Sequence, residues 1–527
     1  MNSRLKKTYL NTVMSLLQEM VGIICGLILP RLLLHRFGSA YNGIVASITQ
    51  FLSCATLLRA GLGGVTRVAL YKPLARKNWD EVSEVVNATQ KFMRKVSYIF
   101  FALLFFFAFV YPFIVMDQFE WLFSFGLVLI LGISTIFECY FGVAYQFLLQ
   151  ADQKRYVISI TRICAVVLNT VIAAVLIKLN CTIYEVKLGS ALVYSIQPLS
   201  IYLYVNHHYP LKRENNPTTT VIAQRWDAFA HQVSSFVTTN TDIIVLTIFS
   251  DIKTVSIYSV YNMVVSPIKN LIVSAANGTE AAFGNMLAQN EMDVLRRRFT
   301  QFEFLTFLVT TGLFVCTAAL ISPFIWVYTS GVEDVNYWQP TFGLLMCIAQ
   351  YFACIRLPYQ TIVEAAGYFR ETRNGAILEA ILNIGISIPM VCIIGLNGVV
   401  IGTVVSLAFR TTQYASFVDK RVMKGTLFSY IRGLVFSVSS AVGTLWVSRV
   451  ILGNGMISNF GRWIVHGLCI AGITAVVMLV ASTVMYPKQA ISTFRKFCNR
   501  HPQHGVRRKD EKNIKLDGSC RENDPRH

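Results

Sequence analysis

Tyr145-Gln146-Phe147-Leu148-Leu149-Gln150-Ala151-Asp152 has an echo far down the chain, Tyr359-Gln360-Thr361-Ile362-Val363-Glu364-Ala365-Ala366, 214 residues later (359 − 145). Other echoes keep nearly that distance. Leu168-Asn169 returns as Leu382-Asn383 after 214 (382 − 168), and Leu74-Ala75-Arg76-Lys77-Asn78-Trp79-Asp80 is answered by Leu287-Ala288-Gln289-Asn290-Glu291-Met292-Asp293 after 213 (287 − 74). Phe37 pairs with Phe249 after 212 (249 − 37). One loose match is noise, but a constant offset marks an internal repeat. The chain therefore reads as two copies of one module, roughly 1–210 and 220–425, followed by a remainder.

The solvent of these modules is lipid. Only 14% of the 527 residues are charged, 54% are hydrophobic, and the mean hydropathy is +0.52, so the chain is expected to be an integral membrane protein. Its net charge of +19 does not argue for nucleic acid, because the bases sit between apolar runs, where membrane topology places them. The 12 cysteines form no CxxC and no Cys/His pattern; Cys25, Cys54, Cys164, Cys316, Cys347, Cys392 and Cys469 fall within apolar runs and read as small buried hydrophobes. No metal or organic cofactor is expected.

Runs long enough to cross about 30 Å of hydrocarbon at about 1.5 Å per residue occur near 9–34, 43–64, 96–116, 122–149, 156–178, 186–206, 228–249, 254–275, 301–325, 340–363, 375–394, 397–417, 429–451 and 462–485. The fold class is thus all-α, with about fourteen transmembrane helices in two six-helix lobes around a central cavity and two C-terminal helices. The domain organisation is 1–210 for the first lobe, 211–227 for a cytoplasmic linker and 228–425 for the second lobe. Helices 13 and 14 occupy 426–486, and a basic tail expected to be disordered occupies 487–527. The first apolar run lacks a small-residue cleavage site and is expected to be retained as a helix.

Alternate connections are basic: Arg67 to Lys95, Lys154 and Arg155, Lys212 and Arg213, Arg296 to Arg298, Arg370 and Arg373, and Lys420 to Lys424. The opposite ones hold Asp117, Glu120, Glu333 and Asp334 with few bases. By the positive-inside rule both termini are cytoplasmic. Segments 66–95 and 279–299 mix bases with apolar residues at helical spacing, which predicts amphipathic helices on the inner membrane surface. Because the offset spans six crossings, the second copy inserts in the same sense as the first. A pseudo-twofold axis along the membrane normal then relates two lobes around a cavity.

Polar groups inside the spans are costly and point to function. The second, eighth, tenth and twelfth spans run inward, and each has one base in its inner half: Arg59, Lys269, Arg356 and Arg410. Two readings are open. These bases face the inter-lobe cavity as a cationic floor for an anionic headgroup, for which the planar guanidinium fork suits phosphate, or their side chains snorkel to the inner headgroups. The acids Glu19, Glu138 and Asp242 lie near the bilayer centre, where they load and release a coupling ion, H+ or Na+, or stand in fixed pairs such as Glu138 with Arg356. Glu379 and Arg162, near the cytoplasmic ends, read as interfacial.

Fourteen spans in two parallel lobes, Phe37-Gly38-Ser39-Ala40-Tyr41-Asn42-Gly43 between the first two, and Gly61-Leu62-Gly63-Gly64 ending the second resemble the polysaccharide transporter branch of the multidrug/oligosaccharidyl-lipid/polysaccharide flippase superfamily, which includes the Wzx-type O-antigen flippases. The resemblance covers nearly the whole chain to about 485. It implies a bacterial inner-membrane flippase, not an enzyme, that turns an undecaprenyl-diphosphate-linked oligosaccharide to the periplasmic leaflet by alternating access. It also implies membrane lipids, a polysaccharide polymerase and chain-length machinery as partners. The family has no short binding signature, so the candidate residues rest on depth and charge. The competing reading is an ion-coupled multidrug exporter of the same superfamily, which predicts acids rather than bases around its cavity. A membrane polymerase or ligase is disfavoured, since no sizeable outer loop exists to carry its chemistry, and no nucleotide-binding glycine loop is present.

Overall fold

The computed structural model describes residues 3–55, 62–212, 226–276, 279–453, 459–487 and 489. Among these residues every regular element is helical. The first repeat comprises α1 (Ser3–Phe37), α2 (Ser39–Leu52), α3 (Leu62–Arg76), α4 (Trp79–Ile114), α5 (Trp121–Ala151), α6 (Arg155–Lys178) and α7 (Ile183–His208). The second comprises α8 (Trp226–Phe249), α9 (Ile252–Ala276), α10 (Glu280–Ala288), α11 (Met292–Tyr328), α12 (Pro340–Ala365), α13 (Phe369–Ile394) and α14 (Leu396–Arg421). Helices α15 (Thr426–Leu452) and α16 (Phe460–Met485) follow.

Helix boundaries repeat as the residues do. Helices α2 and α9 start 213 apart (252 − 39), α4 and α11 start 213 apart (292 − 79), α6 and α13 start 214 apart (369 − 155), and α7 and α14 end 213 apart (421 − 208). Ten described helices are long and apolar enough to cross a membrane by themselves. Helices α8, α9 and α14 are not among the ten; each turns polar side chains toward an interior chamber, as α12 and α13 also do. Rows of exposed apolar residues, such as Leu16, Met20, Ile24 and Ile28 on α1, cover the outer faces, as lipid requires. The chain is a multi-pass membrane protein.

The expected surface helix at 66–95 takes a different form. Its second half runs unbroken into the third span as the 36-residue α4, started by Asn78, whose side chain accepts from the Glu81 amide. No glycine or proline interrupts that helix before Pro112, so nothing stops it at the membrane boundary. The 37-residue α11 does the same in the second repeat, preceded by the short α10. The cysteines also depart from expectation: Cys25 and Cys347 are buried, but Cys54, Cys164, Cys392 and Cys469 are exposed, which costs a thiol little where the neighbouring phase is hydrocarbon.

The fourth span of each repeat is irregular at corresponding positions. Helix α5 widens into a π turn at Glu138–Gly142, and α12 breaks at Arg356 just ahead of Pro358, 214 residues on (356 − 142). Helices α13 and α14 form a tight hairpin through Gly395, whose φ of +58° ends the first of them. Gly398 and Gly402 then let α14 lie directly against the Met390 carbonyl and Ser387.

The lobes meet chiefly where α2 packs on α9 and α8. At the end that the Lys/Arg distribution assigns to the outside, the seam is hydrogen-bonded. Ser39 donates its amide to Asp334 (2.7 Å), its hydroxyl bonds Asp334 and Tyr337 (2.6 Å each), and Asn42 donates to Ser256 (2.8 Å) and Ser259 (3.1 Å). Asn42 and Ser256 are themselves 214 apart, so this contact crosses the pseudo-twofold axis between equivalent positions. Deeper in, Thr247 bonds Ser47 (2.8 Å), and Gln50 and Ser53 bond Asn240. Gly43 has no side chain because the Ile252 carbonyl fills that space.

Candidate functional site

Within the second lobe, α8, α9, α12, α13 and α14 enclose a chamber of about 350 Å³. It contains Asp242, Lys269, Arg356, Glu364, Glu379 and Arg410. Helix α12 supplies Arg356 at its break, and α14 supplies Arg410 along the same face as Thr403 and Leu407, three to four residues apart per turn. The chamber adjoins the seam between lobes at Thr238 and Thr239, the residues before the inter-lobe contact at Asn240.

Three of the four expected bases therefore converge. They do so within one lobe rather than between two, because α9, α12 and α14, which carry them, all belong to the second repeat and pack around one chamber. Arg59 lies outside the described residues. The three bases are not equivalent. Arg410 is 1% exposed, and its guanidinium is fully engaged, donating to the Thr372 carbonyl (3.0 Å), Gln413 and the Tyr414 hydroxyl (2.8 Å), stacking over the Tyr414 ring and pairing with Glu379 at 3.4 Å. Arg356 pairs with the other oxygen of Glu379 at 2.9 Å, and its Nε is buried without an acceptor among the described residues. Lys269 lies within electrostatic reach of Arg356 and has no hydrogen-bond acceptor or ion-pair partner among the described residues.

Glu379 is the residue that sequence reasoning missed. Read as interfacial, it is 5% exposed and bridges two arginines. Arg356 thus takes Glu379, not Glu138, as its carboxylate. The signal was present in the spacing: Glu379 sits three turns from the α13 start, at the depth of the bases, but its proximity to a basic loop concealed it. With Asp242 and Glu364 the chamber holds three acids as well as three bases, so it is a charge-paired network with spare cationic groups rather than a uniform cationic floor.

Asp242 is 3% exposed. Its carboxylate accepts from Thr403 (2.7 Å) and Tyr258 (2.9 Å), Asn383 donates to the same Thr403 hydroxyl (3.0 Å), and Asn383 Oδ1 is buried without a donor among the described residues. This gathers several oxygens around one buried carboxylate, the environment that suits a small hard cation or a proton. Asn240 and Thr241, expected beside Asp242, point elsewhere: Asn240 toward α2 and Thr241 back to the Val237 carbonyl. Glu138 lines a separate cavity in the first lobe. Glu19, on the lipid-facing α1, lines neither chamber and has no bonded partner among the described residues. The structure gathers Asp242 alone, of the three acids, with the bases.

Outside the spans, at the end that the Lys/Arg distribution assigns to the inside, Asp152 forms a node with Lys7 (3.4 Å), Lys154 (3.0 Å) and the Tyr209 hydroxyl (2.6 Å). Burial alone would raise the Asp152 carboxyl; the hydrogen bond from Tyr209 and the two ammonium groups outweigh it and hold it below the usual carboxylate range.

Duplicated lobes, a polar chamber inside an apolar bundle and a hydrogen-bonded seam between the lobes define the architecture. Solved membrane transporters share this fold. A lipid II flippase, MurJ, in an inward closed conformation superposes with a TM-score of 0.66 at 15% identity, covering 91% of this chain and 99% of that one. An inward-facing multidrug resistance transporter of the MATE family superposes with a TM-score of 0.54 at 13% identity (79% and 95% covered). The MATE multidrug transporter DinF-BH superposes with a TM-score of 0.58 at 14% identity (80% and 96% covered). No family model matches the sequence, and no curated protein matches it.

Proposed function

We propose that the protein is a flippase that moves a polyprenyl-diphosphate-linked oligosaccharide across the inner membrane for surface polysaccharide synthesis, by alternating access. The observation that carries this reading is a pair of uncommitted cationic groups in one buried chamber, Lys269 and the Nε edge of Arg356. An unpaired cation in a low-dielectric site is costly, and a diphosphate would offset that cost while accepting charge-assisted hydrogen bonds. Arg410, held by Thr372, Gln413, Tyr414 and Glu379, shapes the site without reaching out. The hydrogen-bonded outer seam supports a state closed to the outside, from which substrate loads on the cytoplasmic side. Asp242, with Thr403, Tyr258 and Asn383 around it, is the proposed coupling-ion site for H+ or Na+.

A second reading, an ion-coupled multidrug exporter, is favoured by the three carboxylates of the same chamber. One reconstitution separates them. In proteoliposomes with a fluorescent polyprenyl-diphosphate sugar, Lys269→Met is expected to slow flipping at least tenfold while leaving the melting temperature in place. Absence of flipping by the unaltered protein overturns the flippase reading, unchanged flipping by Lys269→Met overturns the assignment of the diphosphate to this chamber, and uptake of a cationic dye that needs Asp242 or Glu364 but not Lys269 supports the exporter.

A further inference from the structure

The first lobe carries its own chamber, about 370 Å³, lined by Leu29, Thr49, Ser190, Tyr194, Asn169 and Lys187 among others, and continuous through Glu138 and Tyr194 with a smaller pocket at Arg162. At several positions it is the repeat counterpart of the second-lobe chamber. Thr49 corresponds to Asn262 (262 − 49 = 213), Ser53 to Ser266, Ser190 to Thr403 and Tyr194 to Leu407, all lining residues in their own lobe. Asn169 corresponds to Asn383 at 214 (383 − 169). Two substitutions reverse the chemistry. Leu29 stands where the second lobe has Asp242 (242 − 29 = 213), and Lys187 stands where it has Val400 (400 − 187 = 213).

Lys187 is 8% exposed and has no hydrogen-bond acceptor or ion-pair partner among the described residues. The acid of the same cavity is not beside it. Gly126 abuts Tyr184 and Gly142 abuts Pro198, so α5 and α7 run side by side in register and Lys187 is level with about residue 129. That is nine residues short of Glu138, about 13 Å at 1.5 Å per residue. Arg162 is engaged at the inner end by Gln197 (3.1 Å) and the Tyr194 ring. The outer end of the cavity thus presents a buried ammonium without a counter-ion among the described residues and the Ser190 hydroxyl; deeper, toward the level of Glu138, lie the hydroxyls of Thr49 and Tyr194 and, bonded to Tyr194 through its amide nitrogen (3.3 Å), Asn169 with its unpartnered carbonyl oxygen, between the apolar walls of Leu29, Val45, Leu52 and Leu131. Its volume lies in the range of small-molecule pockets, about 300–1,000 Å³, and far above the roughly 30 Å³ share of one water.

We infer that the first-lobe chamber is a binding site for a small polyhydroxylated carboxylate, the sugar-acid class, with Lys187 facing the carboxylate and Asn169 accepting from a ligand hydroxyl. This site is independent of the second-lobe bases and of the flippase reading. Purified protein in nanodiscs would be titrated with glucuronate, glucose and bromide, followed by calorimetry and thermal melting. Saturable binding of glucuronate, weaker by tenfold or more for glucose and for Lys187→Met, retained in Lys187→Arg and in Lys269→Met, is the expected result. The Lys187→Arg and Asn169→Asp variants serve if Lys187→Met does not fold: binding kept in the first and lost in the second supports the site. Glucuronate binding that survives Lys187→Met or Asn169→Asp, equal affinity for glucose, an equal response to bromide, or no binding at all overturns it.

Discussion

Removing the Glu379 side chain tests the central network most directly. Glu379 is nearly fully buried and its two oxygens serve Arg356 at 2.9 Å and Arg410 at 3.4 Å. Taking one partner from a buried ion pair costs about 3–5 kcal/mol, because the remaining charge is left uncompensated. Two features place Glu379→Ala at the low end, about 3 kcal/mol. The Arg356 side chain is 21% exposed and so partly screened, and Arg410 keeps its bonds to Thr372, Gln413 and Tyr414. Arg410→Met should cost a similar amount, since it leaves Glu379 with one partner and the Tyr414 hydroxyl without its guanidinium donor. The double variant removes both halves of one contact, so it should cost less than the two single losses added, by roughly 1–3 kcal/mol. Reversible unfolding in mixed micelles, followed by tryptophan fluorescence, reads all three. Losses that add to within about 0.5 kcal/mol would mean that Glu379 and Arg410 do not depend on each other, and the network described above would not exist.

The outer seam should yield to Ser39→Ala combined with Asn42→Ala, which deletes four side-chain hydrogen bonds worth about 1 kcal/mol each at most; spin labels at Lys178 and Trp338, on opposite lobes, should then report a longer-distance population raised tenfold or more. The Asp152 node should be pH-dependent in one direction. Its carboxyl is depressed in the folded chain, so its stabilising contribution is present above the ordinary carboxylate pKa of about 3.9 and is lost as pH falls through the lower folded value. The melting-temperature advantage of the unaltered protein over Asp152→Asn should therefore be constant near neutrality and shrink below about pH 4. Gly398→Ala should lower the melting temperature, because its Cβ meets the Met390 carbonyl and overpacking of this kind costs about 1–3 kcal/mol.

Much of the architecture was legible because lipid imposes simple rules. Crossing length, the Lys/Arg alternation and a recurring Tyr-Gln element each constrain where the chain may run, and the observed helix starts repeat at 213–214. Burial was less legible. Arg356 and Arg410 could be placed at a common depth by counting residues, but not assigned a partner, because depth leaves rotation about the helix axis open. Glu379 was misread for the same reason: distance from a basic loop suggested the interface, while the face it occupies on α13 turns it inward. The surface helices failed on continuity, since amphipathic composition marks where a helix meets water without marking where it ends.

The repeat itself supplied more than it was asked for. Asn169 and Asn383 each have a carbonyl oxygen unpartnered among the described residues, Asn169 in the lining of the first chamber and Asn383 bonded to Thr403, which lines the second. Duplicated lobes need not keep duplicated chemistry. One copy places a buried acid, Asp242, in its cavity and the other a buried base, Lys187, at a neighbouring position of the repeat. Helix α2 lines the first chamber through Thr49 and bonds α9 through Asn42, and Ser53 just beyond it bonds Asn240 of α8, while α8 and α9 line the second chamber through Asp242 and Asn262, so both chambers adjoin one set of inter-lobe hydrogen bonds. A ligand in one lobe can then bias opening of the whole molecule only to the extent that it binds the open and closed arrangements differently, and the direct place for that difference to arise is the Ser53–Asn240 contact, which borders both.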